Sequence, residues 1–197
     1  MEIARFKQIL RVLLKDFSVK HTITSLAEEI NISRVGIWKI LKKMESENLI
    51  VLSQIGRGKT STFIIRLNFE NILTEKNLEL ILTEDSLKHE RWLNSFSELK
   101  ERVDFLIIYG SILHSKDASD IDILGIVSEK KKFKEIEEVL LKIQKTQIKK
   151  IHILNFTDIE FKNELLKNNK VFIDAVKKGI ILFGQERFIK FIKDITK

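Results

Sequence analysis

Val103-Asp104-Phe105-Leu106-Ile107-Ile108-Tyr109-Gly110-Ser111, followed after the loop 112–119 by Asp120-Ile121-Asp122-Ile123-Leu124-Gly125-Ile126-Val127, is the stretch whose reading decides the fold. The first run is almost wholly apolar and β-rich, as a strand buried on both faces must be, and Gly-Ser closes it with a turn. The second run is another strand, and it carries two carboxylates. Side chains alternate along an extended chain, so Asp120 and Asp122 project to one side while Ile121 and Ile123 enter the core. Two aligned carboxylates supply the hard oxygen ligands that Mg²⁺ takes together with waters and phosphate oxygens. The Gly110-Ser111 turn complements them. A residue without Cβ lets backbone N–H groups approach a phosphate, and the serine hydroxyl adds a donor.

Downstream, residues 131–147 repeat Phe133, Ile136, Val139, Leu140 and Ile143 on one face of a helix. A strand is expected at 150–155, where alternation sets His152 opposite Ile151 and Ile153. Asp158 and Glu160 are expected to open the next helix, and the tail reads AVKKGIILFGQERFI (residues 175–189). Upstream, residues 70–100 read as polar helix with scattered apolar positions, a connector without a Gly- or Pro-rich linker.

Nearer the start, Ile3, Phe6, Ile9, Leu10, Leu13 and Leu14 recur at helical spacing over residues 2–16. Thr24 is expected to cap a second helix through Leu26, Ala27 and Ile30, and Ser33 a third. In the third, Ile37, Ile40, Leu41 and Met44 form the apolar face, while Arg34, Val35, Trp38, Lys39 and Lys42 lie on or near the opposite one. Asn48 ends it, because Asn tolerates left-handed backbone. The β-rich runs 49–52 and 61–67 flank Gln54-Ile55-Gly56-Arg57-Gly58-Lys59, a hairpin with a basic tip.

Two family resemblances rest on these residues. The order of three helices and a hairpin, with TSLAEEINISRVGIWKILKKMESENLI (residues 24–50) and the Gly56–Lys59 tip, resembles the winged helix-turn-helix domains of bacterial and archaeal regulators over residues 1 to about 68. The resemblance implies a recognition helix opening at Ser33, with Arg34, Trp38, Lys39 and Lys42 toward DNA and Arg57 and Lys59 on a wing. Trp38 fits a DNA contact, a dimer contact or half-buried packing equally. Separately, IIYGS and SDIDILGIV resemble the nucleotidyltransferase superfamily of DNA polymerase beta in its minimal form, over about residues 84–184.

That second resemblance implies transfer of a nucleoside monophosphate from an NTP to a protein or nucleic-acid acceptor, with Mg²⁺ or Mn²⁺ as cofactor. By position, Asp120 and Asp122 are the catalytic, metal-holding pair, and Gly110, Ser111, His114 and Lys116 are the nucleotide-binding set. The chain departs from the family twice. Its loop 112–119 is shorter than is usual there, and the third carboxylate position is occupied by His152, the expected third metal ligand. The expected whole is α+β: a winged helix-turn-helix domain (1–69), a helical connector (70–100) and a small polymerase-beta-like α/β domain with a mixed sheet (101–197). Two other readings stand beside the transferase. One is a DNA-binding regulator whose degenerate transferase domain senses nucleotide or dimerises; the other is an antitoxin-type component acting on a helical toxin partner.

Composition bounds these readings. With 197 residues, 44% apolar and 32% charged, the chain can bury one or two small cores, so disorder is excluded. The absence of cysteine excludes disulfides, thiolate metal sites and thiol nucleophiles, and four His leave little for a zinc cage. The start MEIARFKQIL has no secretory pattern, so a cytoplasmic protein without membrane partners is expected. Of the net charge of +7, residues 1–70 carry 12 Lys and Arg against 7 Asp and Glu, and residues 71–197 carry 23 against 21. The basic excess therefore sits on the part expected to meet DNA, and a palindromic operator there would favour a homodimer.

Overall fold

The computed structural model describes residues 2–57, 61–115 and 117–196. It divides into two units, Met1–Ile81 and Leu82–Lys197.

In the first unit, α1 (Glu2–Lys15) leads through the short strand β1 (His21–Thr22) into α2 (Ile23–Ile30) and α3 (Arg34–Ser46), and the hairpin β2 (Ile50–Ile55) and β3 (Thr62–Leu67) follows. β3 lies between β1 and β2, antiparallel to both. The second helix is capped by Thr22 rather than Thr24. Thr22 accepts from the Ser25 backbone while Ser25 Oγ accepts from the Thr22 N–H at 2.8 Å, and this reciprocal box exists only at a three-residue spacing. Ser33 caps α3 as expected, accepting from Gly36 N at 3.0 Å. Asn48, just beyond that helix, has φ +57°. Of the four residues expected on the apolar stripe of α3, Ile37, Leu41 and Met44 are completely buried and Ile40 is partly buried at its edge.

α4 (Ile72–Leu87) contains the point at which the chain divides. After it come α5 (Glu90–Ser95) and a 3-10 turn, Ser97–Leu99. The end of the stretch expected as connector belongs to the core of the second unit, where Trp92, Phe96 and Leu99 pack with Leu106, Ile108 and Ile121. Large apolar side chains at helical spacing find a sheet face to cover, and burying each is worth roughly 1.5–3 kcal/mol.

The second sheet runs β6-β5-β4-β7, with β4 (Phe105–Tyr109), β5 (Asp120–Val127), β6 (Lys150–Thr157) and β7 (Ile180–Phe183). β5 and β6 are parallel and the other pairs antiparallel, so the sheet is mixed. A parallel pair needs a crossover, supplied by α6 (Lys132–Gln144), whose Ile136, Val139, Leu140 and Ile143 are buried on one face of the sheet. The other face is covered by α7 (Asp158–Leu166), α8 (Lys170–Lys178) and α9 (Gln185–Thr196) through an aromatic cluster in which Phe105 meets Phe161, Phe188 and Phe191, and Phe156 meets Phe172.

Candidate functional site

β4 ends where β5 begins, so antiparallel pairing brings the Gly-Ser turn onto the Asp-x-Asp strand. Tyr109 pairs with Asp122, and on the other side of β5 Asp122 pairs with His152 and Asp120 with Lys150. Tyr109, Asp122 and His152 thus form one row across the sheet face. Asp120 stands one pleat further toward the strand end, on the same face. Both aspartates are half-buried, whereas Ile121 and Ile123 between and beyond them are fully buried.

Gly110 decides the geometry of the turn. Its backbone lies at φ +82°, ψ −164°, a region only glycine occupies without strain. A Cβ placed there would stand 2.7 Å from Asp122 Oδ2. The missing side chain is the space in which the carboxylate sits. Ser111 opens a single 3-10 turn, Ser111–Leu113, and its carbonyl accepts from the N–H groups of His114 at 3.0 Å and Ser115 at 2.8 Å. The backbone of the loop is thereby folded on itself, and the Ser111 side chain is left at the exposed surface.

Around the acids, Ser119 Oγ donates to Asp120 Oδ2 at 2.8 Å. His152 Nδ1 lies 3.7 Å from Asp122 Oδ1, with 46% and 32% of the two side chains exposed. The Tyr109 hydroxyl is pushed above its usual range by burial first and by the Asp122 charge second. Lys149 Nζ donates to the Ala118 carbonyl and ties the end of the loop to the start of β6. His114 is exposed; burial holds the His89 imidazole below its ordinary range against the opposing Asp85 charge, with Lys88 and then His114 adding to the lowering. Lys116 lies outside the described residues.

Asp158 and Glu160 begin α7, as their place after β6 implies. Glu160 is occupied in two ways: it accepts from the Thr157 backbone and hydroxyl, each at 3.0 Å, and pairs with Lys130 at 2.6 Å. The Lys130 ammonium, with the Thr157 donors, holds its carboxyl down at about 2. Neither acid joins the row of Asp122. Among the described residues no three His, Cys, Asp or Glu side chains stand together as a metal centre.

A family model for the polymerase beta nucleotidyltransferases matches residues 92–185, and one for a helix-turn-helix domain matches residues 5–58. The chain joins a helix-turn-helix DNA-binding domain to a polymerase-beta nucleotidyltransferase domain. No curated protein and no solved structure matches it. The nucleotidyltransferase match contains all four strands of the second sheet, and with them Gly110, Ser111, Asp120, Asp122 and His152.

In the helix-turn-helix domain, Ser33 at the cap of α3 and Arg34, Lys39 and Lys42 on it are all exposed. Ser33 spends its hydroxyl on the helix cap. Lys42 pairs with Glu45 at 2.6 Å and also lies over the Trp38 ring at 5.2 Å. Trp38 itself is half-buried, its ring 5.2 Å from that of Phe63 on β3. Arg57 is exposed beside Gly56, which has φ +84°, and Lys59 lies outside the described residues. Among the described residues no helix is long and apolar enough to cross a membrane.

Tyr109, Ser119 and Lys150 carry no motif of their own: strand register sets Tyr109 beside Asp122 and Lys150 beside Asp120, and Ser119 meets Asp120 as its neighbour in the chain.

Proposed function

We propose that the second domain binds an NTP with a divalent cation and transfers its nucleoside monophosphate to an acceptor hydroxyl, the acceptor oxygen bonding to the α-phosphorus as the α–β anhydride bond breaks and pyrophosphate and the hydroxyl proton leave, while the first docks the protein on DNA. The observation that carries this reading is the fit of Gly110 against Asp122, which joins a phosphate-approachable turn to a carboxylate pair. The donor set suits one hard ion, because Mg²⁺ is usually held by one or two carboxylates with phosphate oxygens and water completing the shell. Asp120 and Asp122 are the residues that would hold it. When bound, such an ion offsets the charge that develops on the transferred phosphoryl group.

The chain's own groups supply positioning. Ser119 orients the Asp120 carboxylate through its 2.8 Å hydrogen bond. Gly110 leaves room for Asp122 and lets backbone donors meet the phosphates, with Ser111 at the mouth of the turn. Catalysis of this kind consists mostly of holding the reactants in line and matching charge. The test is incubation of the full chain with α-labelled NTPs, Mg²⁺ or Mn²⁺ and cell extract. Label should appear on a discrete acceptor and fall at least a hundredfold with Asp120→Ala or Asp122→Ala; equal labelling by both variants would reject the site.

The alternative, a DNA-binding regulator whose second domain only senses nucleotide, is favoured by one observation. The position beside Asp122 on β6 holds His152, which brings no second negative charge for another ion. Calorimetric NTP binding with no labelled acceptor under any metal would select it.

A further inference from the structure

The outward face of α3 is organised around an aliphatic residue. At 3.6 residues per turn, Met44 lies about 180° and Ile37 about 160° around the helix from Val35, whereas Lys39 and Lys42 lie within about 40° of it. Ile37 and Met44 are completely buried, and Val35 is 68% exposed. Val35 therefore stands at the centre of the solvent face, in the first turn, among Arg34, Lys39 and Lys42. Lone apolar residues are ordinary on protein surfaces. What distinguishes this one is its place, at the front of a cationic helix whose other large apolar group is committed elsewhere. Trp38 is drawn sideways onto Phe63 and covered by the Lys42 ammonium. That leaves a short branched side chain as the leading apolar group of the helix end that meets base edges in helix-turn-helix docking.

In the major groove the apolar group a base pair offers is the 5-methyl of thymine, and aliphatic contact with it is one of the standard side-chain pairings. We propose that Val35 reads a thymine methyl and is a determinant of sequence preference, with the surrounding cations placing the helix through phosphates. Val35 has no hydrogen-bonding group, so it discriminates by burial alone. This inference rests on the DNA-docking role given to the first domain.

The test uses the full chain. Duplexes are selected from a random DNA pool, and each thymine of the selected site is replaced in turn by deoxyuridine, which keeps the hydrogen-bonding edge and removes only the methyl. At one thymine per bound α3, deoxyuridine should weaken binding about fourfold, the ratio that follows from roughly 0.8 kcal/mol for one buried methyl-sized group. Val35→Ala should bind the thymine and deoxyuridine sites within twofold of each other while keeping the wild-type salt dependence. Its circular dichroism and melting should be unchanged, since the side chain touches no core. Indifference of the wild type to every replacement, or full discrimination by Val35→Ala, overturns the inference and leaves DNA docking standing. Failure to bind any duplex at low salt overturns both.

Discussion

The outward face of α3 and the Gly110–Asp122 corner both present charge to solvent, and they do so by opposite means. On the helix, long side chains reach out from a backbone whose orientation is set by what it buries; Arg34 and Lys39 form no ion pair among the described residues. Their heads can move by several ångströms without altering the fold. At the corner the charges sit on short, half-buried side chains of an otherwise buried strand, and their positions follow the backbone, down to a glycine whose absent Cβ would stand 2.7 Å from the Asp122 carboxylate. A surface of long cations suits a polyanion with many equivalent phosphates, since counterion release needs charge more than exact placement. A corner of short acids suits a metal and a triphosphate, whose geometry is narrow.

The sharpest way to break this contrast is Gly110→Ala. The added methyl enters a glycine-only backbone region, at a cost of about 1–3 kcal/mol, and displaces Asp122. Nucleotide binding measured by calorimetry should fall by an order of magnitude or more, while DNA affinity is retained; unchanged nucleotide binding would show that the corner tolerates displacement as the helix does. A smaller effect is expected from Lys39→Ala on α3. DNA affinity should weaken for all sequences alike, and the slope of log affinity against log salt should become shallower by about 1, with the melting temperature unchanged.

The smallest effect concerns an acid outside the corner. Glu160 titrates near 2 in the folded chain instead of near 4.5, so its contribution to stability is complete above about 4.5 and disappears as pH falls from there toward 2. Glu160→Gln keeps the capping geometry of α7 and removes the charge, so it should flatten that part of the acid limb in pH-dependent melting without changing nucleotide binding. A change in nucleotide binding would mean that Glu160 belongs to the corner after all.

Much of this was legible because the signals are local. Helical spacing placed Ile37, Leu41 and Met44 inside and the cations outside, and the Ser33 cap was readable from a single residue. The β6 strand was legible in its start but runs to Thr157, two residues beyond the expected end, because pairing with Val127 extends it. The cap at Thr22 escaped because two threonines stand two residues apart, and only the reciprocal bond with Ser25 chooses between them. Trp38 fits a DNA contact, a dimer contact or half-buried packing by sequence, and only β3 shows that its ring lies against Phe63. Glu160 was legible as an opening residue of α7, but its partners Thr157 and Lys130 were not, since Lys130 lies thirty residues earlier in the chain.

By itself the sequence determined the two kinds of domain, the faces of their helices and the Asp120/Asp122 parity, because periodicity and alternation are properties of neighbouring residues along one chain. Only the tertiary structure decided that Tyr109 and His152 flank Asp122 and that Gly110 leaves room for its carboxylate. Strand order and register are settled by which buried faces fit together across the sheet, and that competition is decided between segments far apart in sequence.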